Sequence, residues 1–172
     1  MRLTASVVQG LAFGAGLLVV PVSTLAAVAL RALDTARAEG VEPTVILVCN
    51  DARMGEVYHS VMDVASGDLT GESVSSPDVV IERWAANLAS RSSAGVAIGA
   101  GHGFKAYPDL AALPGLMRVY PDLLPRAREV LALAKPLAEA GQGVDPTQAL
   151  PIYVRDEVAK IPECHRPATR VV

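Results

Sequence analysis

Between Arg2 and Arg31 the chain carries no charged side chain. Taken as one unit, such a run is long enough to span a bilayer. With Arg2 as a basic start and Ala27-Val28-Ala29 as a small-residue site, it also imitates an export signal. The polar, proline and glycine positions divide the run instead. Gln9, Gly10, Gly14, Gly16, Pro21, Ser23 and Thr24 stand where a soluble fold places a helix end, a strand and a cap. Arg2 to about Ala15 is expected to be helical, with Leu3, Val7 and Leu11 repeating every four residues and Arg2, Ser6, Gln9 and Phe13 on another side. Gly14 and Gly16 end it. Leu17 to Val22 then reads as a short apolar strand, and Ser23 as the N-cap of a second helix. That helix carries Leu25, Val28, Ala29, Ala32 and Ala36 on one stripe, runs to about Glu39 and stops at Gly40.

Downstream the period changes. Thr44 to Asn50 is a continuous apolar run, the signature of a strand covered on both faces. Asp51 to Gly55 reads as a turn, Glu56 to Val64 as the returning strand, and Leu69 to Val74 as a weaker third. Ser76-Pro77-Asp78 opens a helix whose buried stripe is Val80, Ile81, Trp84 and Leu88. Gly95 to Gly99 is a short buried strand, Lys105 to Leu113 a short helical stretch, and Leu116 to Tyr120 a further strand. Pro121 to Ala140 reads as the longest helix, with Leu124, Ala127, Val130, Leu131 and Ala134 inward. Three antiparallel strands followed by crossover units is the order of a ribonuclease-H-like α/β lobe, the unit duplicated in actin-like ATPases. The helix, strand and helix before it would be the tail of a preceding copy.

Composition narrows the function. Hydrophobic residues make up 51% of the 172 and charged residues 19%, so disorder is excluded as the main state. The net charge of −3 gives the chain no electrostatic reason to hold a polyanion alone, which excludes a stand-alone nucleic-acid binder. Cys49 and Cys164 are far apart and form no CxxC pair, which fits a reducing compartment. His59, His102 and His165 lack metal-ligand spacing and read as surface or turn residues. A two-metal nuclease needs a carboxylate within its first strand. Here Val45 to Val48 is apolar and Asp51 is expected past the strand end. Gly99-Ala-Gly-His-Gly103 lacks the Lys-Ser/Thr of a P-loop and reads as a tight turn rather than a phosphate cradle. Asp51-Ala-Arg-Met-Gly-Glu-Val-Tyr58 is the most distinctive string, with Glu56 and Tyr58 on one face of the outgoing strand. A local Asp51 to Arg53 or Arg53 to Glu56 pair holding a hairpin accounts for it, because no nucleophile and base pair accompanies it.

Arg2 to Gly14, Val19-Val-Pro-Val-Ser-Thr-Leu25, Asp51 to Tyr58 and Ala149-Leu-Pro-Ile-Tyr-Val-Arg155 closely resemble the TsaB (YeaZ) family, in this order and spacing. The resemblance covers nearly the whole chain up to about Lys160. It implies a cytoplasmic protein of the actin-like ATPase fold with no catalysis and no cofactor of its own, ATP being bound by partner subunits. Its partner would be TsaD, which transfers a threonylcarbamoyl group to the adenosine beside the tRNA anticodon, with TsaE as a further ATPase; a second copy of the chain is the other candidate, and tRNA is met only through the complex. The family's first helix implies a partner interface through Arg2, Ser6, Val7, Gln9 and Phe13, and its motif turn corresponds to Asp51, Arg53, Glu56 and Tyr58. Family members also carry an opening strand and a GPGSFTG-like segment before the position of Arg2, so this chain is expected to be N-terminally shortened. Residues 1–40 would then be the remnant of a first lobe, 41–155 a complete second lobe and 156–172 an irregular tail. Two rivals stand beside this reading: a phosphotransferase or peptidase-like hydrolase of the same superfamily, using the Asp51, Arg53, Glu56 turn and the glycine loop, and an exported or membrane-anchored protein.

Overall fold

The structure, a computed structural model, describes residues 2–91, 95–151 and 154. The apolar run after Thr44 becomes strand β1 (Val45–Arg53), buried from Val45 through Cys49 at the centre of the molecule. It pairs antiparallel with β2 (Glu56–Asp63), which pairs antiparallel with β3 (Leu69–Ser75). On its other side β1 runs parallel to β4 (Ala97–Ala100), and β4 runs parallel to β5 (Leu116–Tyr120). The result is a mixed five-stranded sheet of order β3-β2-β1-β4-β5. The helices are α1 (Arg2–Ala15), α2 (Thr24–Ala38), α3 (Pro77–Ser90), α4 (Gly103–Ala106) and α5 (Ala127–Glu139).

The alternation along β1 divides the core in two, because successive side chains of a strand point to opposite faces. Ile46 and Val48, with Met62, Ile98 and Ala100, meet the α2 stripe of Leu25, Val28, Ala29, Ala32, Leu33 and Ala36. Val45, Leu47 and Cys49, with Val57 and Ala97, meet Val80 and Trp84 of α3 and Phe104 and Leu110 beyond β4. Helix α5 packs outside α2. Thus α2 is part of the same apolar body as the sheet, whereas α1 stands on its edge.

Local signals set the helix ends. Ser23 Oγ accepts hydrogen bonds from the Leu25 and Ala26 amides at 3.1 and 3.3 Å. Helices α1, α2 and α5 close on Gly16, Gly40 and Gly141, all at positive φ. In each, the amide of the residue after the glycine bonds back five residues, as Leu17 does to Ala12 O at 2.9 Å. Pro77 opens α3 with Asp78 in its first turn, but the Ser76 side chain makes no cap hydrogen bond.

Several expectations are corrected. Leu17 to Val22 is not a strand: Val19 alone makes a bridge, with Val144, and Pro21 has no amide to extend it. Asp51 and Ala52 belong to β1, and the turn narrows to Met54 and Gly55. The helix after the glycine loop is only α4, followed by a 3-10 turn at Pro108–Ala112. The last helix starts at Ala127 rather than Pro121, because Pro125 disfavours helical geometry at Leu124. Its inward position is taken by Glu129, with Val130 and Ala134 half-buried, while Leu124, Ala127 and Leu131 are exposed. Cys164, His165 and the tail lie outside the described residues, as do Ile152, Tyr153 and Arg155 of the last motif.

Candidate functional site

Helix α1 presents an unusual surface. Leu3, Val7, Leu11 and Phe13 are 80%, 53%, 70% and 71% exposed, and Val8, Leu17 and Leu18 are exposed with them. Among the described side chains of this helix, only Ala12 is buried. Of the expected interface residues, Ser6, Val7 and Phe13 lie on the exposed surface, and the Arg2 side chain lies outside the described residues. Gln9 turns the other way, its amide Nε2 donating to Pro146 O at 3.1 Å. Leu3, Val8, Leu11, Leu17 and Leu18 extend the apolar surface beyond the expected set. The signal for them was the uncharged run itself, which has no polar face to turn outward.

Among the described residues, the main hold on α1 comes from one downstream segment. A 3-10 turn at Pro146–Gln148, capped by Asp145 through the Thr147 amide at 2.8 Å, is the main element that α1 packs against. Just before it, Val144 exchanges both backbone hydrogen bonds with Val19, at 2.8 and 2.9 Å.

The motif turn forms the β1-β2 hairpin tip. Arg53, Met54 and Gly55 all take positive φ, at 64°, 57° and 77°. The Asp51 carboxylate holds this turn: its Oδ1 accepts from the Arg53 amide at 2.8 Å, and its Oδ2 lies 3.8 Å from Arg53 Nε. The local Asp51 to Arg53 pair is therefore formed. Glu56 and Tyr58 leave the turn half-buried on β2, and Tyr58 packs against the α2 side of the core.

The glycine loop is packed tightly on the end of β1. A Cβ on Gly101 would meet Cys49 O at 2.3 Å, one on Gly103 would meet Cys49 Sγ at 2.2 Å, and one on Gly99 would meet the Phe104 ring at 2.6 Å. The Gly101 amide donates to Tyr120 O at 3.1 Å, and His102 Nδ1 stands 3.2 Å from Asn50 Oδ1. Gly101 and Gly103 serve close approach of the loop to the Cys49 backbone, as a tight turn requires, and Gly99 makes room for the Phe104 ring.

His59 corrects the expectation of a surface histidine. It is 4% exposed, with Nε2 2.9 Å from Ser73 Oγ and 3.3 Å from Ser75 Oγ, and its ring meets Trp84 edge-on. Burial, with the Arg83 charge adding to it, pushes its pKa down to about 4. The parity of β2 carried the signal, since His59 shares a face with the buried Val57. A serine beside a histidine is half of a nucleophile and base pair, but this one is sealed beneath α3 and holds β2 to β3. Cys49 is a free thiol, buried and pushed up to about 12, chiefly by desolvation and further by the charge of Asp51. Among the described residues no group of three or more His, Cys, Asp and Glu side chains is placed to hold a metal ion, and no helix is long and apolar enough to cross a membrane.

The described residues thus form a mixed five-stranded α/β body with an exposed apolar helix at its edge and a tight hairpin between its first two strands. The family described as "TsaD: tRNA N6-adenosine threonylcarbamoyltransferase" matches residues 1–163. Two relatives are each a tRNA threonylcarbamoyladenosine biosynthesis protein TsaB. That of Escherichia coli K12 is 35% identical over 92% of this chain and 66% of its own length. That of Haemophilus influenzae is 33% identical over 92% of this chain and 65% of its own. Among solved structures, YeaZ from Pseudomonas aeruginosa superposes with a TM-score of 0.69 at 33% identity, over 88% of this chain and 66% of that one. A crystal structure of an uncharacterized protein with similarity to peptidase YEAZ, from the same organism, gives 0.70 at 32% identity, over 90% of this chain and 67% of that one. The chain belongs to the TsaB/YeaZ family and spans about two thirds of the length of the relatives it matches.

Proposed function

We propose that the chain is a non-catalytic partner subunit of the machinery that makes threonylcarbamoyladenosine beside the tRNA anticodon, and that it docks the catalytic TsaD subunit through α1. The observation that carries this is the exposure of Leu3, Val7, Val8, Leu11 and Phe13 on one 14-residue helix. Burying one such side chain is worth about 1.5–3 kcal/mol, so covering three of them rivals the whole stability of a domain, about 5–15 kcal/mol. The strand order β3-β2-β1-β4-β5, with crossovers after β3 and β4, supports reading residues 41–155 as a ribonuclease-H-like lobe of the actin-like ATPase type. Residues 1–40 would be the end of a preceding lobe and 156–172 a tail. The Asp51 to Arg53 hairpin and the backbone-packed glycine loop favour a chain that leaves ATP to TsaD and TsaE, the net charge of −3 favours meeting tRNA only through the complex, and the likeness to TsaB supports work in the cytoplasm.

Co-expression of the chain with TsaD from the same genome tests this. A stable heterodimer on size exclusion, lost on Leu11→Asp with Phe13→Asp, is the expected result. Elution of the two proteins as separate species overturns it, and a homodimer disrupted by the same substitutions would assign the surface to a second copy instead. Heat on titration of ATP and magnesium into the chain alone would favour the phosphotransferase reading.

A further inference from the structure

Among the described residues, helix α1 is tied to the body by a segment that lies far downstream of it in sequence. Val144 N–H donates to Val19 O at 2.8 Å and Val19 N–H donates to Val144 O at 2.9 Å, just after the chain leaves the helix. Gln9, in the middle of the helix, donates to Pro146 O at 3.1 Å. Gly143 completes the seat, because a Cβ there would stand 2.8 Å from Leu18 Cβ and 3.1 Å from Leu18 Cδ1. The segment is stiffened from within: Asp145 Oδ1 accepts from the Thr147 amide at 2.8 Å and from its hydroxyl at 2.5 Å, and Pro146 fixes the backbone between them. Ala12 is buried and Ala5 half-buried beside these ties, but no described side chain of α1 belongs to either core cluster of the sheet.

We propose that residues 143–148 are a strap that fixes the angle at which α1 is presented, so that affinity for the docked subunit is governed from Gly143, Val144 and Pro146. This rests on the reading of α1 as the docking helix. The physical basis is preorganisation: a helix held in its bound orientation loses less freedom on association than one free to swing, and that difference appears directly in the dissociation constant. An apolar helix needs such a device more than an amphipathic one. With side chains such as Leu3, Leu11 and Phe13 exposed around it, a loosened α1 has several faces to offer, and the strap selects among them. Val144 and Pro146 therefore act as positioning residues, with Gly143 as the space that lets Leu18 lie against them.

Gly143→Ala tests this in the full chain, read three ways: titration against TsaD, hydrogen exchange of the Val19 and Val144 amides in the free chain, and the urea unfolding midpoint. The expected result is faster exchange at both amides and about tenfold weaker binding, with the midpoint unchanged because the core of β1, α2 and α3 is untouched. Gly143→Ala combined with Leu18→Gly removes the overlap, and slow exchange at the Val144 amide is expected to return. Loosened amides with undiminished affinity overturn the strap while leaving α1 as the docking helix. A fall in affinity matched by a fall in midpoint, with exchange at the Val144 amide not restored in the Leu18→Gly double variant, also overturns it, as a purely structural effect. Failure of the unsubstituted chain to bind TsaD removes the docking reading itself, and the strap with it.

Discussion

His59 should make the fold sensitive to mild acid. An unfolded histidine titrates near 6.5, whereas His59 in the fold is held down to about 4, first by burial and then by the Arg83 charge. The folded state therefore binds no proton at His59 where the unfolded state does, and stability falls as the pH drops from 6.5 toward 4. Each unit of that window is worth about 1.4 kcal/mol, and the full interval about 3 kcal/mol, a large share of a marginal fold. The carboxylates held low by hydrogen bonds, Glu39 by Tyr120, Asp63 by Arg91, Glu129 by Arg126 and Asp145 by Thr147, begin to cost stability only as the pH falls into the ordinary carboxylate range. The interval from 6.5 to 5 thus isolates the histidine. Urea unfolding at half-unit steps should show about 2 kcal/mol lost across that interval. His59→Asn should be less stable at pH 7, through lost packing on Trp84, yet nearly flat over the same range. Equal slopes in the two proteins would refute the assignment, whatever their absolute stabilities.

The glycine loop and the buried thiol give two further expectations. Gly101→Ala sets a Cβ 2.3 Å from Cys49 O at a φ of 103°, and should cost about 3 kcal/mol, measured by urea unfolding; a neutral effect would mean that the loop does not pack on β1. Cys49, buried and pushed up to about 12, should stay unmodified by iodoacetamide in the native protein at pH 8 and react once urea unfolds it. Peptide mapping reads the outcome, and rapid native labelling of Cys49 would contradict the packing around it.

Much of the fold is legible in the sequence because its signals are local and redundant. The Ser23 cap, the glycine stops at 16 and 40, and the apolar Val45–Cys49 run of β1 each satisfy backbone or burial demands that few other residues meet. The features that escape a sequence reading depend on partners distant in the chain. A strand at Leu17 to Val22 needs a neighbour along its length, and the described residues supply only Val144. The inward face expected at Leu124 and Leu131 goes instead to Glu129, whose carboxylate is held by Arg126 Nε at 3.1 Å, a pairing that hydrophobic periodicity does not register. The residue type of His59 suggests the surface, although its strand parity marks it as buried. For the candidate site, the uncharged N-terminal run is itself the mark of α1. The strap at 143–148 leaves no such mark, since nothing in Gly-Val-Asp-Pro-Thr points to a helix so far upstream.

Coverage of α1 in the working complex is what separates a docking helix from a bare apolar surface. Hydrogen exchange of residues 3–15, measured on the free chain and on the chain saturated with TsaD, addresses this directly. The expected result is rapid exchange of α1 in the free protein and strong protection in the complex, while β1 and α2 are slow in both. Unchanged exchange of α1 on saturation, or protection confined to the β1-β2 hairpin, would contradict the claim that this helix is the docking surface.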